Sequence, residues 1–505
     1  MYDSERWVWQ EKVASMRWRC DLCVVRVMSF KDECRNNDVS EWCGLKEDVL
    51  TRVEKVDVLL SEIYKDYPNE KCVGIYQGTI PALVLRDIEL IKQVLIKDFN
   101  NFQDRGMKVS DGESEQNLFL VEGDTWRVLR QRLTPMFTTG KLKTMMPLVL
   151  KSLNRLIEYS DKIVDQNMEH EIRSLAAKYT LDVIGTCAFG VDMNAFSEDE
   201  NVYREVAHRV FQRSFKSRML TMLNSFFPGI VRKLGFNLTN KELFGFFINL
   251  VNSIINEREG KPKIRKDFMD FMIELREEGR VTRKGDDKVA ELEMNDALIA
   301  AQALVFYAGG FETSSATMSF LLHEVCQRQD IQDRIHEEIS AVIKKHGGLS
   351  YEAIGDMRYL EMVFDETLRK YPIVGFLLRK CGNTYTFPGD KLKIDEGVLA
   401  LIPVRGIHHD PKYYPDPEKF DPERFTPENK SKLPFCAYMP FGDGPRATAL
   451  VRMRFAKVQS MIGLAGFFNK FKVVPSLKTN KHLEIDATAT TLASRDGIWA
   501  KIERR

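Results

Sequence analysis

The sequence predicts a mainly α-helical protein with small β-sheets, an α+β fold class. Apolar residues recur at helical spacing through long segments between Gly123 and His346, and glycine or proline separates these segments. After Pro372 the chain is rich in proline, glycine and short extended runs as far as about residue 445. A last helix is predicted at 453–470, and short strands follow it.

The first fifty residues differ in composition from the rest of the chain. They hold four of the nine cysteines and four of the six tryptophans, with no sustained helical or strand period. Cys20 and Cys23 have the spacing of zinc ligands, but Cys34 and Cys43 are too far apart for a common zinc ribbon, so a zinc module is disfavoured. We expect 1–51 to be a leader that is disordered or results from a misplaced gene start, and 52–505 to form one domain.

Within the predicted domain, the first elements follow from local patterns. An amphipathic helix is predicted at Val53–Tyr67. Extended runs beginning at Val73 and Ala82 flank a Gly-Thr-Ile-Pro turn and predict a strand pair. Helical spacing returns at Asp87–Lys97, and a long, mostly apolar helix is predicted at Ala297–Val325.

Size and charge exclude several classes of protein. The chain has 505 residues, a formal net charge of +1 and 44% hydrophobic residues, which gives no reason to expect a nucleic-acid partner. Nine cysteines in this length do not make a disulfide scaffold, so a reducing, cytosol-facing location is expected. There is no run of about 18 apolar residues that would form a transmembrane helix, and Met1–Val13 is too charged for a signal peptide.

The long apolar helix contains an unusual segment, Gly309-Gly-Phe-Glu-Thr-Ser314. Each helical glycine costs about 1 kcal/mol relative to alanine, but it allows another group to approach the backbone closely. Glu312 and Thr313 are polar neighbours in an apolar helix, where burial without a partner is unfavourable. The segment alone is equally consistent with a helix–helix contact or kink and with a functional site.

Two further pairs each place an arginine and a possible partner for it on one helix face. Glu366 and Arg369 are three residues apart, and Trp126 and Arg130 are four apart. In isolation the first pair is typical of a surface ion pair and the second of a cation–π contact. Neither pair by itself indicates a function.

Taken in order, these motifs and the segment Phe441-Gly-Asp-Gly-Pro-Arg446 resemble the cytochromes P450, most closely the insect microsomal members. The resemblance runs from about residue 55 to residue 505 and implies the cytochrome P450 fold. Four other segments carry it as well: Lys97–Arg105, Leu133–Phe137, Asp182–Gly190 and His408–Pro417.

The resemblance implies a haem b site. Its residues fall into three groups by implied role. Thr313 and Glu312 match the pair that delivers protons during catalysis. The residues implied to contact the haem, the tryptophan and the three arginines at its propionates, are Trp126, Arg130, Arg379, Phe441, Gly444 and Arg446. The residues implied to form a buried cluster behind the haem are Glu366, Arg369 and Arg424.

The iron ligand is where this chain departs from the family. The family has a cysteine two residues after the arginine of the loop, whereas this chain has Thr448, and Leu450 replaces the usual glycine. A neutral hydroxyl cannot supply the electron donation of a thiolate, so no intact metal ligand is predicted and haem binding is expected to be weakened. Cys436, ten residues before Arg446, is a poor substitute because it lies on the wrong side of the loop.

A local frameshift would explain the departure. The family loop typically continues Asn-Cys-Ile-Gly-Met-Arg-Phe, and here Met-Arg-Phe returns two residues late, at Met453. One codon spelling of Asn-Cys-Ile-Gly, read from its second base, encodes Thr-Ala-Leu-Val, which is the sequence of 448–451. We interpret this as a sequence error or a decayed gene.

The resemblance also implies an activity: an NADPH–cytochrome P450 reductase-dependent monooxygenase at the cytosolic face of the endoplasmic reticulum membrane, acting on small apolar substrates. The alternatives are a catalytically inactive protein that binds apolar ligands, or the product of a frameshifted gene. Phe226–Lys233 is expected either to enter the membrane surface or to form a buried turn. The expected substrate contacts are Gly106–Asn117, Phe306, Phe311, Ile373–Phe376 and Thr490–Leu492.

Overall fold

The fold is taken from a computed structural model. It describes residues 56–77, 80–108, 110–197, 201–211, 219–220, 223–224, 233, 240–259, 267–285, 288–389, 392–447, 453–486, 489 and 491–505. The predicted leader, most of the Phe226–Lys233 segment, Thr448 and Thr490 lie outside these residues.

Helices make up most of the described chain. The α-helices are α1 (Val56–Asp66), α2 (Ile88–Lys92), α3 (Gly123–Leu133), α4 (Thr139–Asp165), α5 (Ile172–Ile184), α6 (Val202–Phe211), α7 (Lys241–Arg258), α8 (Phe268–Glu277), α9 (Asp296–Cys326), α10 (Gln329–His346), α11 (Tyr351–Asp356), α12 (Arg358–Lys370), α13 (Val404–His408), α14 (Pro427–Lys430) and α15 (Met453–Lys470). Among them, no helix is both long and apolar enough to span a bilayer.

The strands are short and form small sheets. They are β1 (Cys72–Gln77), β2 (Ile80–Leu85), β3 (Glu169–Glu171), β4 (Arg280–Gly285), β5 (Lys288–Glu293), β6 (Leu377–Lys380), β7 (Tyr385–Thr386), β8 (Lys393–Ile394), β9 (Leu399–Ile402), β10 (Phe471–Val474) and β11 (Trp499–Arg504). One sheet has the order β1-β2-β9-β6, with β2 and β9 parallel, and another has the order β10-β11-β3. The prediction of a mainly helical α+β protein is confirmed.

Helix α9 is the centre of the large hydrophobic core. Its side chains are buried on all faces over most of its length, as expected for a helix enclosed by others. Asn295 caps its start by accepting a hydrogen bond from the Leu298 N–H at 2.8 Å. Helix α5 packs closely against it, because a Cβ on Gly310 would lie 2.5 Å from Ile184 Cδ1. Gly310 is therefore explained by a helix–helix contact.

The predicted first elements are present with small shifts. The first helix ends one residue earlier than predicted, and the strand pair forms β1 and β2. Asp87 caps α2 by accepting hydrogen bonds from two backbone N–H groups, and a π-turn at Gln93–Lys97 extends this helix. The hairpin of β4 and β5 was missed, although Gly285 followed by two aspartates is a turn signal in the sequence.

Candidate cofactor-binding site

Three separate segments come together around the guanidinium of Arg446, which lies in the loop before α15. The guanidinium carbon of Arg446 lies 4.8 Å from the ring centroid of Trp126, on α3. Its Nη1 donates to the carbonyl of Gln103 at 3.0 Å and to Asp104 Oδ1 at 3.1 Å. One turn after Trp126, Arg130 Nη2 donates to the carbonyl of Ala447 at 3.1 Å. The Trp126 and Arg130 face of α3 is thus joined to the loop.

Arg379, on β6, places a second buried guanidinium close to that of Arg446. Both residues are 2% exposed. Burial and then the charge of Arg446 lower the pKa of Arg379 to about 9, and burial lowers the pKa of Arg446 to about 10 although Asp104 opposes it. The Nε of each arginine has no hydrogen-bond partner among the described residues. We call Trp126, Arg130, Arg379 and Arg446 the cationic cradle.

The cationic cradle fits an anionic cofactor with carboxylate groups. Two like charges buried side by side, with N–H groups unused, are unfavourable unless an anion accepts from them. Carboxylates suit guanidinium groups because both are planar and can form paired hydrogen bonds. The haem implied by the resemblance carries two such groups. The position expected to bind its iron, Thr448, does not fit, because a threonine hydroxyl is neutral at pH 7.

The loop carrying Phe441 and Gly444 passes very close to the π-turn after α2. Gly444 has a φ of +75°, and a Cβ there would lie 1.9 Å from the carbonyl oxygen of Leu95. Only glycine fits both conditions. Gly442 has a similar φ of +76°, but its nearest neighbour, Leu377 Cδ2, would be 3.4 Å from a Cβ. Phe441 is half-buried and packs against the main core.

On α9, Glu312 and Thr313 have different partners. Thr313 Oγ1 donates to the carbonyl of Gly309 at 2.7 Å, within the helix. Glu312 is buried, and its Oε1 accepts hydrogen bonds from Arg173 on α5 and from Thr491 Oγ1, the latter at 2.8 Å. Arg173 was not predicted as a site residue, because its position in the first turn of α5 carries no local signal of a partner on α9.

An apolar cavity of about 30 Å³ adjoins α9 at Gly309 and Gly310. Phe306, an expected substrate contact, lines it and stacks on Phe137 with ring centroids 5.6 Å apart. Phe311, also an expected contact, instead packs against the ring of Tyr307 with centroids 6.0 Å apart. The structure therefore brings Phe306 to this cavity and places Phe311 in an aromatic cluster.

The described residues of the three other expected contact segments form hydrogen bonds that define their surroundings. The Leu492 N–H donates to the carbonyl of Ile373 at 3.4 Å, which joins the C-terminal segment to the segment after α12. Thr491 beside it contacts Glu312. In the Gly106–Asn117 segment, Ser110 Oγ donates to Glu115 Oε1 at 2.7 Å, a contact within the segment itself.

Glu366 and Arg369 form a fully buried, two-bond ion pair on α12. Arg369 Nε lies 2.6 Å from Glu366 Oε2 and Arg369 Nη2 lies 2.9 Å from Oε1, and both side chains are 0% exposed. Arg369 also donates to the carbonyls of His408 and Pro417 at 3.0 and 2.8 Å. Arg424 is more distant, with Nε 3.6 Å from Glu366 Oε1. The pair links α12 to the segment that leads to the loop.

A second, unpredicted link joins α15 to α9. Gln459 Nε2 donates to the carbonyl of Gly310 and to Ser314 Oγ, each at 2.6 Å. Gln459 is fully buried, so these bonds replace those that its amide nitrogen would make with water, whereas its Oε1 has no partner among the described residues. This amide joins the second turn of α15 to α9.

Comparisons with known proteins agree with the geometry. The family model described as cytochrome P450 matches residues 49–496. The chain is 39% identical over 477 residues to cytochrome P450 6B7 of Helicoverpa armigera, covering 94% of each chain. It is 40% identical over 469 residues to cytochrome P450 6B1 of Papilio polyxenes, covering 92% of each. It is 39% identical over 459 residues to cytochrome P450 6a2 of Drosophila melanogaster, covering 88% of this chain and 90% of the relative.

Proposed function

This chain belongs to the cytochrome P450 monooxygenase family, and on that premise we propose that the intact product of its gene hydroxylates or epoxidises small apolar molecules, xenobiotic or lipid-like. We further propose that the domain spans 52–505 and that its iron is bound by a cysteine thiolate. The chain with Thr448 lacks that thiolate and has at most weak activity of this type.

The observation that carries the proposal is the pair of buried guanidiniums in the cationic cradle. Arg379 and Arg446 each keep an Nε without an acceptor among the described residues, and no carboxylate contacts Arg379 there. Haem b would supply two propionates to these groups, with Arg130 as a further donor and Trp126 beside Arg446. A bound haem would also supply the redox chemistry that amino-acid side chains lack.

The residues of the chain have separate proposed tasks around this cofactor. The cationic cradle orients it through its carboxylates. Phe137 and Phe306 form an apolar wall that excludes water from the substrate side. Thr313 holds a hydroxyl proton at Oγ1, and Glu312 exchanges a proton through its carboxylate. In this proposal Arg173 and Thr491 keep that carboxylate oriented.

A second candidate function follows from the mismatch at Thr448. The cationic cradle and the apolar surface formed by Phe137 and Phe306 do not depend on a thiolate. The chain as written therefore remains able to bind a planar anion and apolar molecules. Under this alternative it is a binding protein or the product of a decayed gene. The codon frame around residue 448 distinguishes the two, because a sequence error leaves the natural enzyme intact whereas a decayed gene does not.

The proposed partner is NADPH–cytochrome P450 reductase, at the cytosolic face of the endoplasmic reticulum membrane. Support comes from the family, whose members generally accept electrons from a redox partner, and from the insect relatives. The membrane surface is a further proposed contact, and no nucleic acid is expected from a net charge of +1.

Haem reconstitution tests the proposal directly. The chain is compared with a loop-restored variant in which residues 447–452 are replaced by Asn-Cys-Ile-Gly. We expect the reduced, CO-treated loop-restored variant to show a thiolate-type Soret band and the original chain to lack it. A thiolate-type band from the original chain would refute the loss of the ligand. Failure of the loop-restored variant to retain haem would refute the cofactor site.

Sequencing the transcript across residues 440–456 then separates the two origins of Thr448. A transcript that encodes Arg-Asn-Cys-Ile-Gly identifies an ordinary monooxygenase and an error in the sequence. A transcript that encodes Thr448 identifies a protein that has lost its iron ligand, and its function must then be sought in binding.

A further inference from the structure

A polar cleft of about 340 Å³ lies apart from the cationic cradle. It is bounded by α1, by the C-terminal ends of α9 and α12, by α13 and by part of the C-terminal segment. We propose that this cleft binds a phosphate monoester, with the phosphate at its lysine and arginine side chains and the organic part on its apolar wall. The proposal does not depend on haem binding, because the cleft shares no residue with the cationic cradle.

The cleft carries an excess of positive charge. Its lining includes two carboxylates, Glu324 and Glu418, and five cationic side chains, namely Lys65, Arg328, Lys370, Arg405 and Lys481. Burial lowers the pKa of His409, another lining residue, to about 4, so that its imidazole is neutral at pH 7 and adds no charge. The excess is therefore three positive charges at neutral pH.

One of the two carboxylates is fully engaged by protein groups. Glu324 is buried, and its oxygens lie 2.6 Å from Arg328 Nη1 and 3.0 Å from Lys370 Nζ. The Tyr371 hydroxyl donates to it at 2.5 Å. Burial alone would raise the pKa of Glu324, but Lys370, Tyr371 and Arg328 together lower it. Glu324 thus neutralises part of the charge of two cations and has no capacity for the other three.

The other three cations have weak partners or none. Among the described residues, Lys65 and Lys481 form no ion pair within 4.0 Å, and both are exposed at the cleft. Arg405 Nη1 lies 3.5 Å from Asp57 Oδ2, which is long for a hydrogen bond. A dianion would compensate these charges more fully than a carboxylate would, and a phosphate monoester carries about −1.5 to −2 at pH 7.

The cleft also has space and an apolar wall for an organic group. Its volume of about 340 Å³ is within the range of small-molecule sites and exceeds what a phosphate group alone requires. Leu483, Ile485 and the buried Leu492 line one side. The same chemistry is presented by a soluble phosphate monoester and by the headgroup of phosphatidic acid, and experiment can separate these sources.

The test uses the full chain and two charge-matched double variants. Lys65→Glu with Lys481→Glu alters the cleft. Lys162→Glu with Lys344→Glu makes the same change of net charge at exposed lysines near the ends of α4 and α10, outside the cleft. Calorimetric titration with glycerol 3-phosphate and inorganic phosphate, at constant ionic strength, measures soluble ligands. Sedimentation with phosphatidylcholine vesicles, with and without phosphatidic acid, measures the lipid headgroup.

We expect the control variant to bind like the original chain. The cleft variant should bind at least about tenfold more weakly, because two of the cations that face the ligand are replaced by carboxylates. Binding of the soluble probes identifies a soluble ester, and binding only to vesicles with phosphatidic acid identifies the headgroup. The proposal is overturned if the original chain binds none of the probes. It is equally overturned if the two double variants bind every probe with the same affinity. Thermal unfolding of both variants verifies that they are folded.

Discussion

Arg173, at the first turn of α5, donates a hydrogen bond to Glu312 in the middle of α9, although the two residues are 139 positions apart in the chain. The same carboxylate oxygen accepts from Thr491 Oγ1 at 2.8 Å. Three separate segments therefore meet at one buried carboxylate. Because the side chain of Glu312 is only 10% exposed, these two donors replace most of its contact with water.

The first prediction concerns this contact. Arg173→Gln is expected to lower the free energy of unfolding by about 2 kcal/mol, because it leaves a buried carboxylate with one neutral donor. Denaturant unfolding measures the change, and Arg173→Lys should restore part of it. In a Glu312→Gln background the same substitution should cost clearly less. Equal losses in the two backgrounds would mean that Arg173 acts elsewhere.

A second prediction compares two glycines of the loop with nearly the same φ. Gly444→Ala should destabilise the protein by about 3 kcal/mol or more, because it adds a clash with the Leu95 carbonyl to backbone strain. Gly442→Ala should cost only about 1 kcal/mol, since its φ is strained but a Cβ has room. Urea unfolding of both variants checks the difference, and similar losses would argue against the close approach to Leu95.

A third prediction separates a cofactor-binding arginine from a structural one. In the haem-free protein, Arg379→Met should leave stability unchanged or raise it by about 1 kcal/mol, because it removes a buried charge that has no carboxylate partner in the described part of the chain. In the loop-restored variant the same change should weaken haem retention at least about tenfold, since one propionate partner is lost. Unfolding curves and haem transfer to apomyoglobin measure the two effects.

Arg369→Met is the matched control for that experiment. It should destabilise the haem-free protein by about 3–5 kcal/mol, because it removes the close charge partner of the fully buried Glu366 and leaves only Arg424, whose Nε is 3.6 Å away. If Arg379→Met destabilised the haem-free protein as strongly as this control, Arg379 would be a structural residue and the assignment to the cofactor would be wrong.

A fourth prediction concerns acid pH. Burial lowers the pKa of His408 to about 3, and its Nε2 accepts a hydrogen bond from the Met439 N–H at 2.9 Å. As the pH falls below 6.5 the unfolded chain binds a proton that the folded chain excludes. The stability contributed by the neutral ring is therefore complete above pH 6.5 and is lost progressively towards pH 3.

The expected slope is about 1.4 kcal/mol per pH unit for this one group. Urea unfolding between pH 7 and 4.5 measures it, and His408→Gln, which keeps a hydrogen-bond acceptor, should reduce the slope by that amount. An unchanged slope in the His408→Gln variant would show that His408 does not titrate in this way.

Local patterns were sufficient to predict the long helices, the first strand pair and the order of the motifs. The apolar run that predicted a helix at Ala297–Val325 corresponds to α9, and the predicted 453–470 helix corresponds to α15. Helical spacing depends only on neighbours within a few residues, so the sequence contains it directly. The β4–β5 hairpin was missed because its two strands are short, lack a clear apolar alternation and lie between helices.

The sequence by itself determined the fold class, the family motifs and the presence of threonine at position 448. Only the tertiary structure decided that Gly310 faces Ile184 and that Glu312 is held by Arg173 and Thr491. It also decided that the Nε atoms of two buried guanidiniums have no acceptor among the described residues. The physical reason is the distance along the chain between the residues that interact. Spacing along a chain specifies which face of a helix a residue occupies, whereas a partner more than a hundred residues away is selected by how the elements pack and by the cost of burying an unpaired charge.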